Sequence, residues 1–309
     1  MKLFKASQRL MGSAFELAVV CADEVVAQQA LAAGIAEISR IEDLLSEFKP
    51  DSTTSLLNAQ AGIRPVQVAP EFFDLLERCA HISKLTSGCF DVTIGSLKKL
   101  YAFKNKQFEM PSQVQIDEAR QAVGYEKILL NRSERSVWFA HPALRISFAA
   151  VGKGYAASQV KKRWQQAGIR SGYVNASGDL TAFGSKPDGK AWEIGIANPD
   201  DRDKPLLFVP LHDASAATSG DYEQFFLWKN TRYSHNLDPR TGVPLTGLKS
   251  VTVFSPNAEL SDALATAVYV MGAAAGIAFV NQLPQTHCIV MDDRNQIHFS
   301  KKMKYETTV

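Results

Sequence analysis

The sequence predicts an α+β fold, with mixed or antiparallel sheets and packed helices, on two observations. Stretches with apolar residues at three- and four-residue spacing dominate the chain before residue 145, and short apolar runs separated by turn residues dominate it after Asp179. Helices and strands are thus gathered in separate parts of the chain instead of alternating one for one, which argues against a doubly wound parallel sheet. No linker cuts the 309 residues cleanly, so a single domain spanning 1–309 is expected. With 46% hydrophobic and 21% charged residues the composition is that of a globular protein able to bury a large core.

In chain order, Ala14 to Cys21 reads as a strand, and Asp23 to Glu47 as a long amphipathic helix with Leu31, Ile35, Ile38, Ile41 and Leu45 on its apolar face. Phe48-Lys49-Pro50-Asp51-Ser52 breaks that helix. A second helix runs from Glu71, after Pro70, to Ser87, before Gly88, and a shorter one from Pro111 to Val123. Ile128 to Phe139 predicts a hairpin turning at Asn131-Arg132-Ser133. Ile146 to Val151 predicts a strand leading through Gly152-Lys153-Gly154 into a helix that Gly168 ends, followed by a strand at Tyr173 to Asp179. Short strands are then expected at Trp192–Ala197, Leu206–Leu211, Ala214–Ser219, Phe225–Trp228 and Val251–Phe254, with a closing helix from Leu260 to Met271.

Three local patterns carry chemistry. At Gly152-Lys153-Gly154 the free N–H groups of a helix start attract an anion, glycine lets a phosphate approach, and Lys153 adds a positive charge, so the turn reads as a phosphate cradle, with a purely structural glycine turn as the alternative. The run Gly152 to Ala157 also fits the G-x-G-x-x-G/A dinucleotide pattern, but the acidic residue expected about 20 residues on is replaced by Asn175, which leaves NAD as the weaker reading. Asp262 and Thr266 stand four apart and face one side of the last helix, where a carboxylate and a hydroxyl suit Mg²⁺; a capping role for Ser261-Asp262 is the alternative. Between strands, Ala217 to Tyr222 and Tyr233 to Gly242 gather hydroxyls, His235 and aspartates in loops, where sites are usually built, although Asp238 to Gly242 is also good turn chemistry.

The formal charge of +2, from 34 basic and 32 acidic residues, excludes an electrostatic case for nucleic acid or an anionic membrane as partner. Cys21, Cys79, Cys89 and Cys288 lack zinc spacing and read as buried thiols in a reducing compartment. Charges within Met1 to Leu10 break any signal-peptide core, and no stretch reaches the roughly 20 apolar residues of a membrane span. A cytoplasmic protein without a membrane anchor is expected.

With these residues in view the sequence resembles the FAD:protein FMN transferase (ApbE) family over nearly its whole length. The likeness rests on Met11-Gly12-Ser13, Phe48 to Ser52 with Leu57-Asn58, Gly88 to Gly95, Gly152 to Ala156, Val174 to Asp179, Ala217 to Tyr222, Tyr233 to Pro244 and Ser261 to Thr266, in that order. The resemblance implies an ApbE-like, T-fold-related architecture. It further implies a Mg²⁺-dependent enzyme that cuts the FAD pyrophosphate, releases AMP and leaves FMN on a threonine or serine of an acceptor protein. By position, the metal would be held by Asp262, Thr266 and the carbonyl of Ala150. FAD would meet Met11, Phe48, Cys89, Phe90, Asp91, Ser147, Lys153 and Leu237, and His235 would help deprotonate the acceptor. The family usually has aspartate at Ser147, so a hydroxyl there implies weaker FAD binding, and glycines at Ala149 and Ala150. A FAD pyrophosphatase and a flavin-binding protein without catalysis share the same residues.

Overall fold

The structure, a computed structural model, describes residues 1–101, 109–198, 201–221, 225–229, 231–303 and 306–307. Tyr222, part of one of the motifs above, lies outside the described residues. The chain opens on a hairpin, β1 (Lys2–Leu10) and β2 (Ser13–Cys21), turned at Met11 and Gly12, both at positive φ. Helix α1 (Glu24–Leu45) follows, capped by the Asp23 carboxylate on the N–H groups of Val25 and Val26. Next come α2 (Thr53–Ala59), β3 (Val66–Gln67), α3 (Pro70–Leu85), α4 (Gly95–Lys98), α5 (Gln113–Arg120) and the hairpin β4 (Ile128–Asn131) and β5 (Ser136–Phe139). Proline at the first position of α3 and a capping box between Ser112 and Gln115 on α5 set those two helix starts.

The second half carries α6 (Gly152–Gln166), β6 (Gly172–Ala176), β7 (Asp179–Phe183), β8 (Trp192–Asn198), β9 (Asp201–Leu211), β10 (Ser215–Gly220), β11 (Phe225–Trp228) and β12 (Thr231–Ser234). It closes with β13 (Leu248–Ser255), α7 (Ala258–Met271), α8 (Ala273–Val280), β14 (His287–Asp292), β15 (Ile297–Phe299) and β16 (Glu306–Thr307). Eight of the strands form one sheet in the order β1-β2-β6-β7-β10-β13-β14-β15, every neighbouring pair antiparallel. The α+β class is therefore the observed one, and the parallel sheet that a dinucleotide fold requires is not the sheet on which α6 lies.

Residue parity shows why both faces of this sheet are covered. Phe15, Leu17 and Val19 of β2 and Val174 of β6 face the core under α1 and α6, while Ala18 and Tyr173 face a second core closed by Trp192, Ile196, Leu207 and Val209 of the β8-β9 hairpin. Val251, Val253, Cys288 and Val290 continue the helix side beneath α7. Gly34 lets α1 and α6 approach, because a Cβ there would lie 2.6 Å from Leu17 and 3.0 Å from Trp164.

Ile146 to Val151 is a correction. It was expected to be a strand, but residues 146–148 have no regular structure and 149–151 form a turn into α6. Its hydrogen bonds go elsewhere: the Asn58 carboxamide accepts from Ile146 N–H at 2.8 Å and donates to Ile146 C=O at 3.0 Å, and Ser147 N–H donates to the carbonyl of Val92 at 2.8 Å. A side chain here replaces a neighbouring strand. The expected strand at Tyr173 to Asp179 is two strands, folded at Ser177 and Gly178, both at positive φ.

Candidate active site

The start of α6 and the inner face of α7 meet. Gly154 N–H donates to Asp262 Oδ2 at 2.9 Å, and a Cβ on Gly154 would lie 2.2 Å from the carbonyl oxygen of Ala258. This contact demands glycine. The N-cap of α7 is Asn257, whose side chain accepts from Glu259 N–H, so Asp262 is free of the capping role considered from the sequence. Asp262 is buried, with Thr266 one turn further along and its hydroxyl 3.1 Å from Ser219 Oγ of β10.

Lys153 projects from the same helix start and pairs with Asp179 Oδ2 at 2.6 Å, while Asp179 Oδ1 accepts from Thr218 N–H at 2.9 Å. A cleft forms around these groups. It is lined by Lys153, Asp262, Thr266 and Ala150 on the helix side, by Asp179, Thr218, Ser219 and Gly220 at the sheet end, and by Cys89, Phe90, Asp91, His235 and Leu237 from two loops. A groove beside it, sharing Ala149 and Lys153, is lined by Met11 and Phe48; the Phe48 ring is 87% exposed. All the residues proposed from the sequence except Ser147 line one or the other of these two adjoining spaces.

They do not all present side chains in the same way. Asp91 accepts from Thr93 N–H at 2.8 Å, Thr93 Oγ1 at 2.7 Å and Tyr125 N–H at 2.9 Å, so its carboxylate fastens the loop; burial raises its pKa and the hydrogen bonds oppose the shift. Phe90 and Leu237 are buried, and burial pushes the Cys89 thiol up. The Asp238 carboxylate holds Arg240 through two bonds of 2.9 and 2.8 Å and so shapes the turn beyond His235. Ser147 is buried too, but its hydroxyl donates to Glu47 Oε1 at 2.9 Å and receives Lys98 Nζ at 3.3 Å.

Glu47, Lys98 and Asp179 were not singled out for a site role from the sequence. Glu47 closes a helix, Lys98 follows a short apolar run, and neither neighbourhood has a signal that would separate it from surface charge. Asp179 lay inside a recognised motif, but its partner Lys153 is 26 residues away and unpredictable from spacing.

The donor set fits a hard cation. Asp262 offers a carboxylate, Thr266 a hydroxyl and Ala150 a main-chain carbonyl at the cleft, all oxygen. Among the described residues no three His, Cys, Asp or Glu side chains gather as a metal cage. Oxygen donors of this kind are those a hard cation takes, with water or phosphate oxygens completing its shell.

Comparison with known proteins identifies the chain's relatives. A protein of Klebsiella pneumoniae named FAD:protein FMN transferase is 32% identical over 270 residues, covering 85% of this chain and 77% of that one. One of Haemophilus influenzae with the same name is 29% identical over 236 residues, covering 74% and 68%. The crystal structure of the ApbE protein of Thermotoga maritima superposes with a TM-score of 0.90 at 27% identity over 97% of both chains. That of the Pseudomonas stutzeri flavinyl transferase ApbE gives 0.85 at 27% identity over 99% of this chain and 95% of the other. Relatives that share the name of a transferase at this identity and coverage make the chain an enzyme of the transferase class. More particularly, the chain belongs to the ApbE family, whose family model matches residues 11–290.

Proposed function

We propose that the protein, acting as one domain over residues 1–309, transfers FMN from FAD to a threonine or serine hydroxyl of an acceptor protein and releases AMP. The observation that carries this reading is the junction of α6 and α7, where Lys153, Asp262 and Thr266 line one cleft, the N–H groups of Gly152 and Gly154 being taken by Phe148 and Asp262. In the reaction the acceptor oxygen attacks the FMN phosphorus, the P–O bond to AMP breaks, and the hydroxyl proton leaves with a base. His235, in the cleft wall, is the residue for that proton. Lys153 holds the pyrophosphate in line, and Met11 and Phe48 receive the adjoining part of FAD. Mg²⁺ held by Asp262, Thr266 and the Ala150 carbonyl would neutralise charge developing on the phosphates.

The test is incubation with FAD, Mg²⁺ and a candidate acceptor, read as an acceptor mass increase of one FMN and as released AMP. Free FMN with an unmodified acceptor assigns the chain as a FAD pyrophosphatase, and FAD binding with no AMP assigns a flavin-binding protein. No helix among the described residues is long and apolar enough to cross a membrane. A cytoplasmic site of action is part of the proposal.

A further inference from the structure

The face of the large sheet away from the helices changes character along its strands. It is apolar where Ala18, Tyr173, Ala216 and Phe254 meet the β8-β9 hairpin, and polar further along the same strands, where Glu16, Asn175, Thr218, Thr252 and Ser250 follow. A pocket lies there, with this polar row as its floor and Trp192 to Ala197 of β8 as its wall. Side chains along a strand alternate, so consecutive residues line one space only where the strand presents its backbone edge. β8 pairs with β9, and among the described residues no strand pairs with its other edge. Glu193 stands opposite Pro210, which has no N–H, so the ladder bonds of β8 fall on Trp192, Ile194 and Ile196, and the N–H and C=O groups of Glu193 and Gly195 point to the free edge. Both residues are exposed, and β8 contains neither proline nor lysine to guard that edge.

Pocket and cleft lie on opposite faces of the sheet and come together where it splits. The pairing of β7 with β10 ends at Leu180 and Ala216; beyond it, Asp179 reaches Thr218 N–H with its side chain instead. Thr218 lines both spaces, and its hydroxyl shares a hydrogen bond of 2.9 Å with that of Thr252 in the pocket. Among the described residues that line the pocket none is Lys, Arg or His, and its two carboxylates, Glu16 and Glu193, are paired with Lys5 and Lys186. Such a wall has no means of seating a phosphate. Open main-chain groups above a floor of hydroxyls are the chemistry that recognises an extended polypeptide.

We propose that an extended segment of the acceptor protein adds to the free edge of β8 as a fourth strand of the β16-β9-β8 sheet, and that its end at Thr218 brings the adjoining threonine or serine to the cleft. That the occupant is the acceptor rests on the transferase reading above. Main-chain bonds to Glu193 and Gly195 hold the segment whatever its sequence. Asn175, Thr218, Ser250 and Thr252 favour small polar side chains on the side that faces the sheet, and the two carboxylates disfavour acidic ones.

Backbone amide exchange of the full chain without FAD tests this, using a peptide of alternating threonine and valine with a lysine at each end. The peptide is expected to slow exchange at Glu193 and Gly195 and to change Trp192 and Ile194 little, since these already bond to β9; the same peptide with proline for each valine is expected to do neither. In FMN transfer to an acceptor protein, Glu193→Pro removes an outward N–H opposite a residue that has none, and is expected to raise the acceptor KM about tenfold at unchanged kcat, with Glu193→Ala within about twofold of wild type. Unslowed exchange at Glu193 and Gly195, or equal acceptor KM in the two variants, would overturn the proposal. So would slowing at Phe225–Trp228 alone, which assigns docking to the β11-β12 ribbon, or slowing that grows with protein concentration in the absence of peptide, which gives the edge to a second copy of the chain. If Glu193→Pro does not fold, exchange on the unaltered protein decides. Exchange needs no turnover, so slowing without FMN transfer keeps the edge as a polypeptide site and removes the transferase reading, whereas transfer without slowing sinks this inference alone.

Discussion

Asp262 accepts the backbone N–H of Gly154 at 2.9 Å, which fastens the second turn of α7 to the first turn of α6. One carboxylate therefore has two duties, to hold two helices together and to face the cleft, and substitutions can separate them. Asp262→Ala removes both, and FAD cleavage is expected to fall at least about a hundredfold, as when a principal electrostatic stabiliser is lost. Stability should fall as well, by about 1 to 3 kcal/mol, because the Gly154 N–H loses its acceptor. Asp262→Asn keeps an oxygen for Gly154 but not the charge, so it should retain the wild-type melting temperature without metal and still lose activity. Turnover near the wild-type rate in the asparagine variant would remove Asp262 from catalysis.

Glycines two residues apart on α6 should behave differently. A Cβ at Gly154 would meet backbone of Ala258 at 2.2 Å, whereas at Gly152 it would meet only side-chain atoms, of Met11 at 3.4 Å and Phe148 at 3.6 Å. Gly154→Ala is expected to cost on the order of 1 to 3 kcal/mol and to displace the cleft, while Gly152→Ala folds normally. Urea unfolding and FAD turnover of the pair check this, and equal behaviour would count against the α6–α7 contact.

From the sequence, Ser147→Asp was expected to tighten FAD binding. The Glu47 contact argues for the opposite sign, because its Oε1 lies 2.9 Å from the Ser147 hydroxyl. A second carboxylate there repels the first and competes for Lys98. The single variant should bind FAD no better than wild type, and combining it with Glu47→Gln should restore affinity. Flavin fluorescence titration decides; tighter binding in the single variant would restore the earlier expectation.

Burial holds the Lys98 ammonium below its ordinary pKa of 10.5, and Glu47 only partly offsets this. The unfolded chain then binds the proton more tightly than the folded one, so Lys98 becomes less costly to fold as pH rises from its depressed value toward 10.5. Lys98→Met should be more stable than wild type near pH 7, and the gap should narrow toward pH 10. Urea midpoints for both proteins at the two pH values test it, and a gap that widens would contradict the sign.

Much of this was legible because it is local. Helical spacing from Leu31 to Leu45 and the glycine and proline stops marked α1, α3 and α6, and the Asp262–Thr266 spacing pointed to one helix face. What the sequence hid is long-range. An apolar hexapeptide such as Ile146 to Val151 looks like a strand whether its backbone is bonded by a neighbouring strand or by Asn58, 88 residues away from Ile146. Strand β1 escaped notice because, at the sheet edge, only Leu10 is fully buried, and Leu3 and Gln8 blur the alternation that turns Phe4, Ala6 and Leu10 to the core. The Ser147–Glu47 bond spans 100 residues and turned a simple substitution into a coupled pair.

The Asn58 clamp also sets how the floor of the cleft can open. A strand in that position would share its ladder with neighbours, and releasing it would unzip part of the sheet. Two side-chain bonds to Ile146 instead make the floor a separate opening unit, with a local cost of roughly 1 to 3 kcal/mol. Amides from Ile146 to Val151 are accordingly expected to exchange with solvent deuterium well ahead of those in β6 and β13, and Asn58→Ala to speed exchange there without touching the sheet. Such exchange would make the approach to α6 separate, in time as well as in bonding, from the sheet that carries it.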